Sequence, residues 1–225
     1  MDAGAGEEIK GQRTRAAILE RAVEVACRVG LGGLTVGQLA AEAGLSKSGL
    51  YARVRSKEAL QLAVLETAAE QFAAAVVRPA LQAPRGEPRV HALVDRWLAC
   101  GRTFAPGGVL IVKASVELDD QEGAVRDLLE EQHRELVRTI ARIFAGGVAD
   151  GQFRVDAAPD QFAADLYGVM LAYYHAHRLL RDPRAEARAR TAVAALLTAA
   201  RSPHHPGVVR APDEDAPSGA SHDEE

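Results

Sequence analysis

Hydroxyl groups, basic side chains and one tyrosine are concentrated between residues 46 and 57 of this 225-residue chain. The surrounding stretch, residues 44–60, reads GLSKSGLYARVRSKEAL. Hydroxyl and ammonium groups donate hydrogen bonds to anionic oxygens, and arginine and lysine neutralise phosphate charge. A helix that begins at Ser46 would also point its partial positive charge and free N–H groups at such an anion. The residue types therefore indicate phosphate binding, although an ordinary charged surface helix has a similar composition.

The spacing within this stretch separates an inward face from an outward face. On a helix capped by Ser46, Leu50 and Val54 lie four residues apart and point inward. Gly49 costs about 1 kcal/mol relative to alanine in a helix interior, which suggests a close approach of the backbone to a ligand. A lone Tyr51 would more simply be a half-buried core residue. The cap, the glycine and the basic face together favour contact with DNA through the residues that share the outward face, Lys47, Ser48, Tyr51 and Arg55.

The segment before this helix has the sequence of a second, tightly connected helix. Thr35 and Gln38 form a T-x-x-Q capping box, and leucines at 34 and 39 have the spacing of a hydrophobic staple. Gly44 is placed to be the left-handed residue after the helix. Two short helices joined by so tight a turn predict a helix-turn-helix motif over residues 35–54.

The charge distribution supports a polyanion-binding segment at one end of the chain. The net charge is −4, but residues 9–57 contain nine basic and three acidic residues, a net +6, which leaves −10 for the rest. A basic head on an acidic body indicates that only the head meets a polyanion.

The composition predicts an all-α fold. Alanine and leucine dominate the 48% of hydrophobic residues, only 4% are aromatic, and strand-like runs are scarce. Apolar periodicity places a first helix at residues 14–29, on which Ile18, Ala22, Val25 and Val29 form one stripe. Further helices are predicted at 57–77, stopped near Pro79, and at 89–104, 109–118, 122–149, 159–180 and 183–200, the last of them capped by Asp182.

We predict four segments: a disordered N-terminus (1–12), a helix-turn-helix DNA-binding domain (13–58), a helical ligand-binding and dimerisation domain (59–201) and a disordered acidic tail (202–225). Cys27 and Cys100 are too few for a disulfide framework. There is no signal peptide and no run of about 18 apolar residues. The chain is therefore expected to be cytoplasmic, without contact with a membrane.

Residues 13–65 resemble the N-terminal domain of the TetR family of transcriptional regulators. The resemblance lies in TRAAILERAVEVACRVG and LTVGQLAAEAGLSKSGLYARVRSKEAL and in their spacing. It implies phosphate contacts from Thr35, Tyr51 and Lys57, and base-edge contacts from Lys47, Ser48 and Gly49. Val54 departs from the phenylalanine common in the family, and Arg55 from the usual proline or lysine. Ser46 and Arg53 complete the predicted DNA-binding set.

The body resembles the family only in its pattern. The helix at 159–180 is apolar on two faces, so it needs a packing partner on each of them. We expect one partner to be a second subunit, in a four-helix dimer interface. Large side chains on two helices are candidates for a ligand pocket, although large apolar residues at helical spacing more often belong to the core. The candidates are Trp97, Cys100, Phe104, Met170, Tyr173, Tyr174 and His177. No cofactor, metal site or catalytic residue is predicted, because the known phosphate-loop, hydrolase and zinc motifs are missing.

The combined expectation is a homodimeric transcriptional repressor that binds double-stranded DNA at a palindromic operator and is released by an unknown small-molecule ligand. One alternative is a small-molecule-binding protein whose head contacts a protein partner, for which binding would be insensitive to salt. A lyase or hydrolase in the body is a third hypothesis, but it has no recognisable site.

Overall fold

Helices form almost all of the part of the chain that the structure describes. The structure is a computed structural model; it describes residues 3–103 and 106–202, and the side chains of residues 14–46, 48–50, 54–102 and 110–202. The expected all-α class is confirmed, and the β pairing within these residues is a single bridge between Phe153 and Arg201. The helices are α1 (Ala3–Val29), α2 (Val36–Glu42), α3 (Lys47–Val54), α4 (Lys57–Phe72), α5 (Arg78–Leu81), α6 (Glu87–Thr103), α7 (Pro106–Glu117), α8 (Ala124–Ala149), α9 (Pro159–Arg178) and α10 (Ala185–Ala200), with a π-helical turn at Ala73–Val77 between α4 and α5.

The first helix begins earlier than the sequence pattern predicts. It starts at Ala3 and not at Thr14, so residues 3–12, which the pattern assigns to a disordered N-terminus, form its first turns. The apolar stripe begins only at Ile18, and the polar turns before it carry no periodic signal. Ile18, Ala22 and Val25 are buried as predicted, whereas Val29 at the other end of the stripe is 41% exposed.

The long helix that starts at Lys57 connects the head to the body. It packs against α1 on one side and against α7 and α8 on the other. Its inward face, which includes Leu60, Val64 and Leu65, is buried in a core that continues from α1 to α10. Over Lys57–Leu81 it is long and apolar enough to pass a composition test for a membrane span, a test that the core helices of globular proteins also pass. In this structure 33% of that segment is buried.

This helical segment ends at Leu81, two residues after Pro79 and four residues after the predicted end near Val77. A π-helical turn at Ala73–Val77 follows α4, and α5 then carries the helix through Pro79 to Leu81. A proline ring normally clashes with the carbonyl one turn earlier and lacks the N–H that would bond to it. The wider π-helical turn directly before Pro79 changes that register, which is why the helix continues.

The end of the body is closed by three stacked phenylalanines. Phe144 stacks on Phe153 at 4.4 Å and on Phe162 at 4.0 Å between ring centroids. A Cβ atom on Gly147 would lie 2.5 Å from the Phe153 ring, so a side chain at this position would displace the stack.

The last helix begins two residues later than predicted. The Oδ1 of Asp182 accepts a hydrogen bond from the N–H of Arg184 at 2.9 Å, and α10 begins only at Ala185. Asp182 therefore stabilises the turn before the helix and does not cap the helix itself. The predicted tail lies outside the described residues from 203 onward.

Candidate nucleic-acid interface

The turn between α2 and α3 is closed by backbone hydrogen bonds around a left-handed glycine. Gly44 has a φ of 65°, and its N–H bonds to the carbonyl of Ala41 at 3.4 Å. The N–H of Leu45 bonds to the carbonyl of Ala40 at 2.9 Å. These two bonds constitute a Schellman motif, which ends α2 and redirects the chain within two residues. At the other end of α2, Thr35 Oγ1 accepts from the N–H of Gln38 at 3.1 Å, as the predicted cap requires.

The beginning of α3 is capped and open to solvent. Ser46 Oγ accepts from the N–H of Gly49 at 3.1 Å, and Ser46, Ser48 and Gly49 are all exposed. Ser48 Oγ lies 3.4 Å from Ser46 Oγ. A Cβ atom at position 49 would lie 3.0 Å from Ser46 Oγ, so the glycine leaves room for the capping hydroxyl. The helix therefore presents hydroxyl groups and its positive end outward.

The other side of α3 is anchored in the head. Leu50 is fully buried and Val54 is half-buried against the core. Lys47, Tyr51 and Arg53 belong to the helix, but their side chains lie outside the described residues.

A non-glycine residue in the left-handed region connects α3 to α4. Arg55 has a φ of 57°, and the next residue, Ser56, caps α4 by accepting from the N–H of Ala59 at 3.0 Å. Lys57 follows at the first helical position and is exposed. Its Nζ donates to the carbonyl of Gly32 at 2.7 Å. The lysine predicted to contact phosphate thus holds the α1–α2 loop in this structure.

The same loop is held by a residue from the body that the sequence analysis missed. The Glu117 carboxylate at the end of α7 accepts from the N–H of Leu31 at 2.8 Å and from the N–H of Gly32 at 2.5 Å. Gln61 Nε2 donates to the carbonyl of Leu31 at 3.1 Å. The N–H and carbonyl groups of two successive loop residues are therefore all bonded by side chains of α4 and α7. No sequence signal links Glu117 to a loop 85 residues before it.

An ion-pair group fastens α2 to α1. The Glu42 carboxylate accepts from Arg28 at 2.6 Å and lies 2.9 Å from the Arg21 guanidinium. The hydrogen bond from Arg28 is the main reason why the pKa of Glu42 is lowered from its usual value. The head's positive charge is thus partly used to hold the helix-turn-helix together.

Two family models match the chain, one over each part of this architecture. Residues 18–64 match the family described as bacterial regulatory proteins, tetR family, and residues 86–193 match the tetracyclin repressor-like C-terminal domain. The chain belongs to the TetR family. The head described above is therefore a TetR DNA-binding domain, and the chain is a DNA-binding transcriptional regulator. No individually curated protein sequence matches it significantly.

Solved structures of TetR regulators share the fold. A TetR regulator from Chloroflexus aurantiacus J-10-FL is 25% identical, with a TM-score of 0.74, and the match covers 84% of this chain and 94% of that one. AibR, solved in complex with isovaleryl coenzyme A and operator DNA, is 23% identical with a TM-score of 0.67 over 82% and 98% of the two chains. The ketosteroid regulator KstR2 of Mycobacterium tuberculosis is 18% identical with a TM-score of 0.61 over 84% and 95%.

In the C-terminal TetR domain, the candidate pocket residues fall into two groups. Trp97 packs between Phe72 of α4 and Tyr167 of α9. Tyr173 instead donates its hydroxyl to the carbonyl of Leu98 at 3.3 Å, and its ring stacks on His177. The remaining candidates are placed separately: Cys100 and Met170 are buried, Tyr174 lies under the Arg178 guanidinium, and Phe104 lies outside the described residues.

The outer side of the C-terminal TetR domain carries a shallow apolar groove between α9 and α10. Its volume is about 240 Å³, and α10 packs mainly on α9. Small side chains line most of it, which lets another helix approach closely. The lining residues are Val169, Ala172, Tyr173, Ala176, Ala185, Arg188, Ala189 and Ala192.

Proposed function

We propose that this TetR regulator is a cytoplasmic repressor that binds a roughly palindromic operator as a homodimer and leaves it when a small molecule binds the body. The observation that carries the proposal is the exposed, serine-capped start of α3 on a Schellman turn, within a segment of net charge +6. In a dimer, two such helices enter successive major grooves about one helical turn of DNA apart.

The proposed roles of the head residues are supported by the family resemblance and by the exposed, capped start of α3. Lys47, Ser48 and the Gly49 backbone would contact base edges, close to the N-terminus of α3 that Ser46 caps. Phosphates would be held by the residues around this helix: Thr35, Tyr51, Arg53 and Lys57. The Lys57 ammonium has three N–H donors, so it can donate to a phosphate while it keeps its bond to the carbonyl of Gly32.

The groove between α9 and α10 is the proposed seat of the second subunit. Its alanines permit close helix packing, and the same two helices from each subunit would form a four-helix interface. Pairing of two bodies in this way sets the separation of the two heads.

Ligand control requires a state of the body that misplaces the heads. To lower operator affinity 100-fold, the ligand must bind that state more strongly than the DNA-binding state by about 2.7 kcal/mol. Two features of the structure would transmit a change in the body to the head. The helix α4 runs from Lys57 into the core of the body, and Glu117 of α7 holds the α1–α2 loop. A change in either helix would therefore move the head.

A head that contacts a protein partner is not favoured, because the family match covers the helix-turn-helix itself. We also propose a regulator and not an enzyme. Turnover that survives loss of Tyr51 and Lys57 would argue for catalysis in the body.

The proposal is tested by selection of genomic DNA fragments with the purified full chain. We expect the wild type to enrich a short palindrome and the Tyr51→Ala/Lys57→Ala double variant to lose it. An Arg96→Ala variant, which removes an exposed charge from the body, is the control and should select the same palindrome.

The salt dependence of the recovered site tests the contact chemistry. Each phosphate contact contributes about −0.9 to the slope of log K against log salt concentration. Because the proposed dimer carries two copies of Lys57, Lys57→Ala should make the slope shallower by about 2, roughly 1 for each subunit. If folded wild-type dimers enrich no sequence, the operator hypothesis is wrong.

A further inference from the structure

Four aromatic rings from four different helices meet in the interior of the body. Phe72 of α4 meets Trp97 of α6 edge-on at 5.4 Å, and Trp97 meets Tyr167 of α9 at 6.1 Å. Tyr167 then meets His133 of α8 edge-on at 5.9 Å. We call Phe72, Trp97, His133 and Tyr167 the ring cluster. Since α4 begins at Lys57, a molecule bound here would touch the helix that leads to the head.

The polar atoms of the ring cluster are only partly paired. The Tyr167 hydroxyl and His133 Nδ1 are hydrogen-bonded to each other. The other ring nitrogen, His133 Nε2, is buried and makes no hydrogen bond of normal geometry with the described residues, although the backbone of Ile111 lies close enough to raise the pKa of His133 slightly against the effect of burial. Two amide oxygens of residues adjacent in sequence to cluster members are also buried without a hydrogen-bond partner among the described residues. They are Oε1 of Gln132, which precedes His133, and Oε1 of Gln71, which precedes Phe72. Buried polar atoms are normally bonded, and each exception calls for an explanation such as a ligand that completes it.

The surroundings of these atoms are uncharged. Burial lowers the pKa of His133 below its usual value and raises the pKa of Tyr167 to about 12, so both are neutral near pH 7. A neutral imidazole bonded through Nδ1 offers one further donor or acceptor at Nε2, and an amide Oε1 accepts only. A hydroxyl group can both donate and accept, so it can satisfy either kind of atom. None of the four members of the ring cluster carries a charge near pH 7, so the cluster itself offers no counter-charge to an ionic ligand.

The backbone next to the ring cluster is also irregular. The π-helical turn at Ala73–Val77 begins directly after Phe72 and packs against α6, which carries Trp97. Such turns inside long helices occur frequently at functional sites. Here the turn follows Phe72 directly, at the end of α4 that is away from the head.

We propose that the ring cluster binds an uncharged, largely apolar ring compound and recognises a hydroxyl group on it through His133 Nε2. The aromatic rings supply the apolar walls. The proposal rests on the proposed function, because it assigns a ligand class to the body of a ligand-controlled regulator.

Trp97 provides a direct readout, because it is the single tryptophan of the chain and a member of the ring cluster. The probes are saturated cyclic alcohols such as 4-tert-butylcyclohexanol and 2-decalol, each paired with its methyl ether. Neither kind absorbs where tryptophan emits or is excited. We expect the alcohols to change Trp97 fluorescence with a Kd at least 10-fold below that of the matched ethers.

The variants assign the preference to one atom. In His133→Leu, the ratio of alcohol to ether affinity should fall to about 1, while both probes still change the fluorescence. Tyr167→Phe keeps the ring and provides a second test if His133→Leu does not fold; it should reduce the ratio as well, because Nδ1 loses its partner. His91→Leu, at an exposed histidine of α6, is the matched control and should keep the wild-type ratio.

Three results would overturn the proposal: no fluorescence response to any probe, equal affinity of the wild type for alcohols and ethers, or a preference that His133→Leu leaves unchanged. Operator binding is measured on the same preparations without probe. If the wild type binds its operator but shows no preference for alcohols, only the ligand assignment is wrong. If the unliganded wild type binds no operator, the proposed function is wrong.

Discussion

The hydrogen bonds of Glu117 to the α1–α2 loop give a quantitative prediction for the link between head and body. The carboxylate accepts at 2.8 Å from Leu31 and at 2.5 Å from Gly32. A glutamine at this position keeps one oxygen for one of these N–H groups, but its NH₂ group cannot accept from the other. The substitution Glu117→Gln therefore removes one charge-assisted bond and weakens the second.

Hydrogen bonds to charged groups contribute about 1.5–3 kcal/mol each to stability. Glu117 is half-buried, so solvent screening places its bonds near the lower limit. We expect Glu117→Gln to lower the free energy of unfolding by about 1.5 kcal/mol, and Glu117→Ala, which loses both bonds, by about 3 kcal/mol.

The assay is urea unfolding of the full chain at pH 7 and at one fixed protein concentration, because dimer stability depends on concentration. Glu66→Gln is the control, since it makes the same charge change at an exposed position of α4. Amide hydrogen exchange of Leu31 and Gly32 adds a local readout, and both amides should exchange faster in Glu117→Gln. The reasoning is refuted if this variant unfolds within 0.3 kcal/mol (roughly the limit of additivity) of Glu66→Gln and exchange at the two amides is unchanged.

Three further predictions follow from local features. Arg55→Gly should raise the free energy of unfolding by about 0.5–1 kcal/mol, because the φ of 57° is strained for arginine and free for glycine; a loss of stability in urea unfolding would contradict this. Ser46→Ala should lower the free energy of unfolding by about 1 kcal/mol, because α3 loses its cap. Ser48 does not make that bond, so Ser48→Ala should lower the free energy of unfolding far less. Equal losses of stability in the two variants would show that the cap does not stabilise α3. Because burial lowers the pKa of His133 in the folded state, the unfolded chain binds more protons just below pH 6.5, so stability should fall from pH 7.5 to pH 5. His133→Leu should reduce that fall, and an unchanged pH profile would count against a buried neutral imidazole.

The sequence by itself determined the features that depend on neighbouring residues. Thr35, Ser46 and Ser56 cap the helices that follow them, and Gly44 takes the left-handed conformation at the turn. In each case the donor and the acceptor lie three to five residues apart, so the sequence contains both partners of the bond. The helices of the body were predicted for the same reason, because their periodic apolar residues are close in sequence. The start of α1 was predicted wrongly, since its first turns lack that pattern.

Only the tertiary structure decided which distant residues share a site. The resemblance implied a phosphate role for Lys57 but could not reveal its bond to Gly32, 25 residues away. Glu117 reaches Leu31 across 86 residues, and His133 meets Tyr167 across 34, so neither pair leaves a trace in local spacing. Trp97 and Tyr173 were grouped by residue type, yet the packing of α6 against its neighbours directs them to different partners. Such contacts arise from how helices pack, which depends on the summed burial of all their faces and not on any short segment.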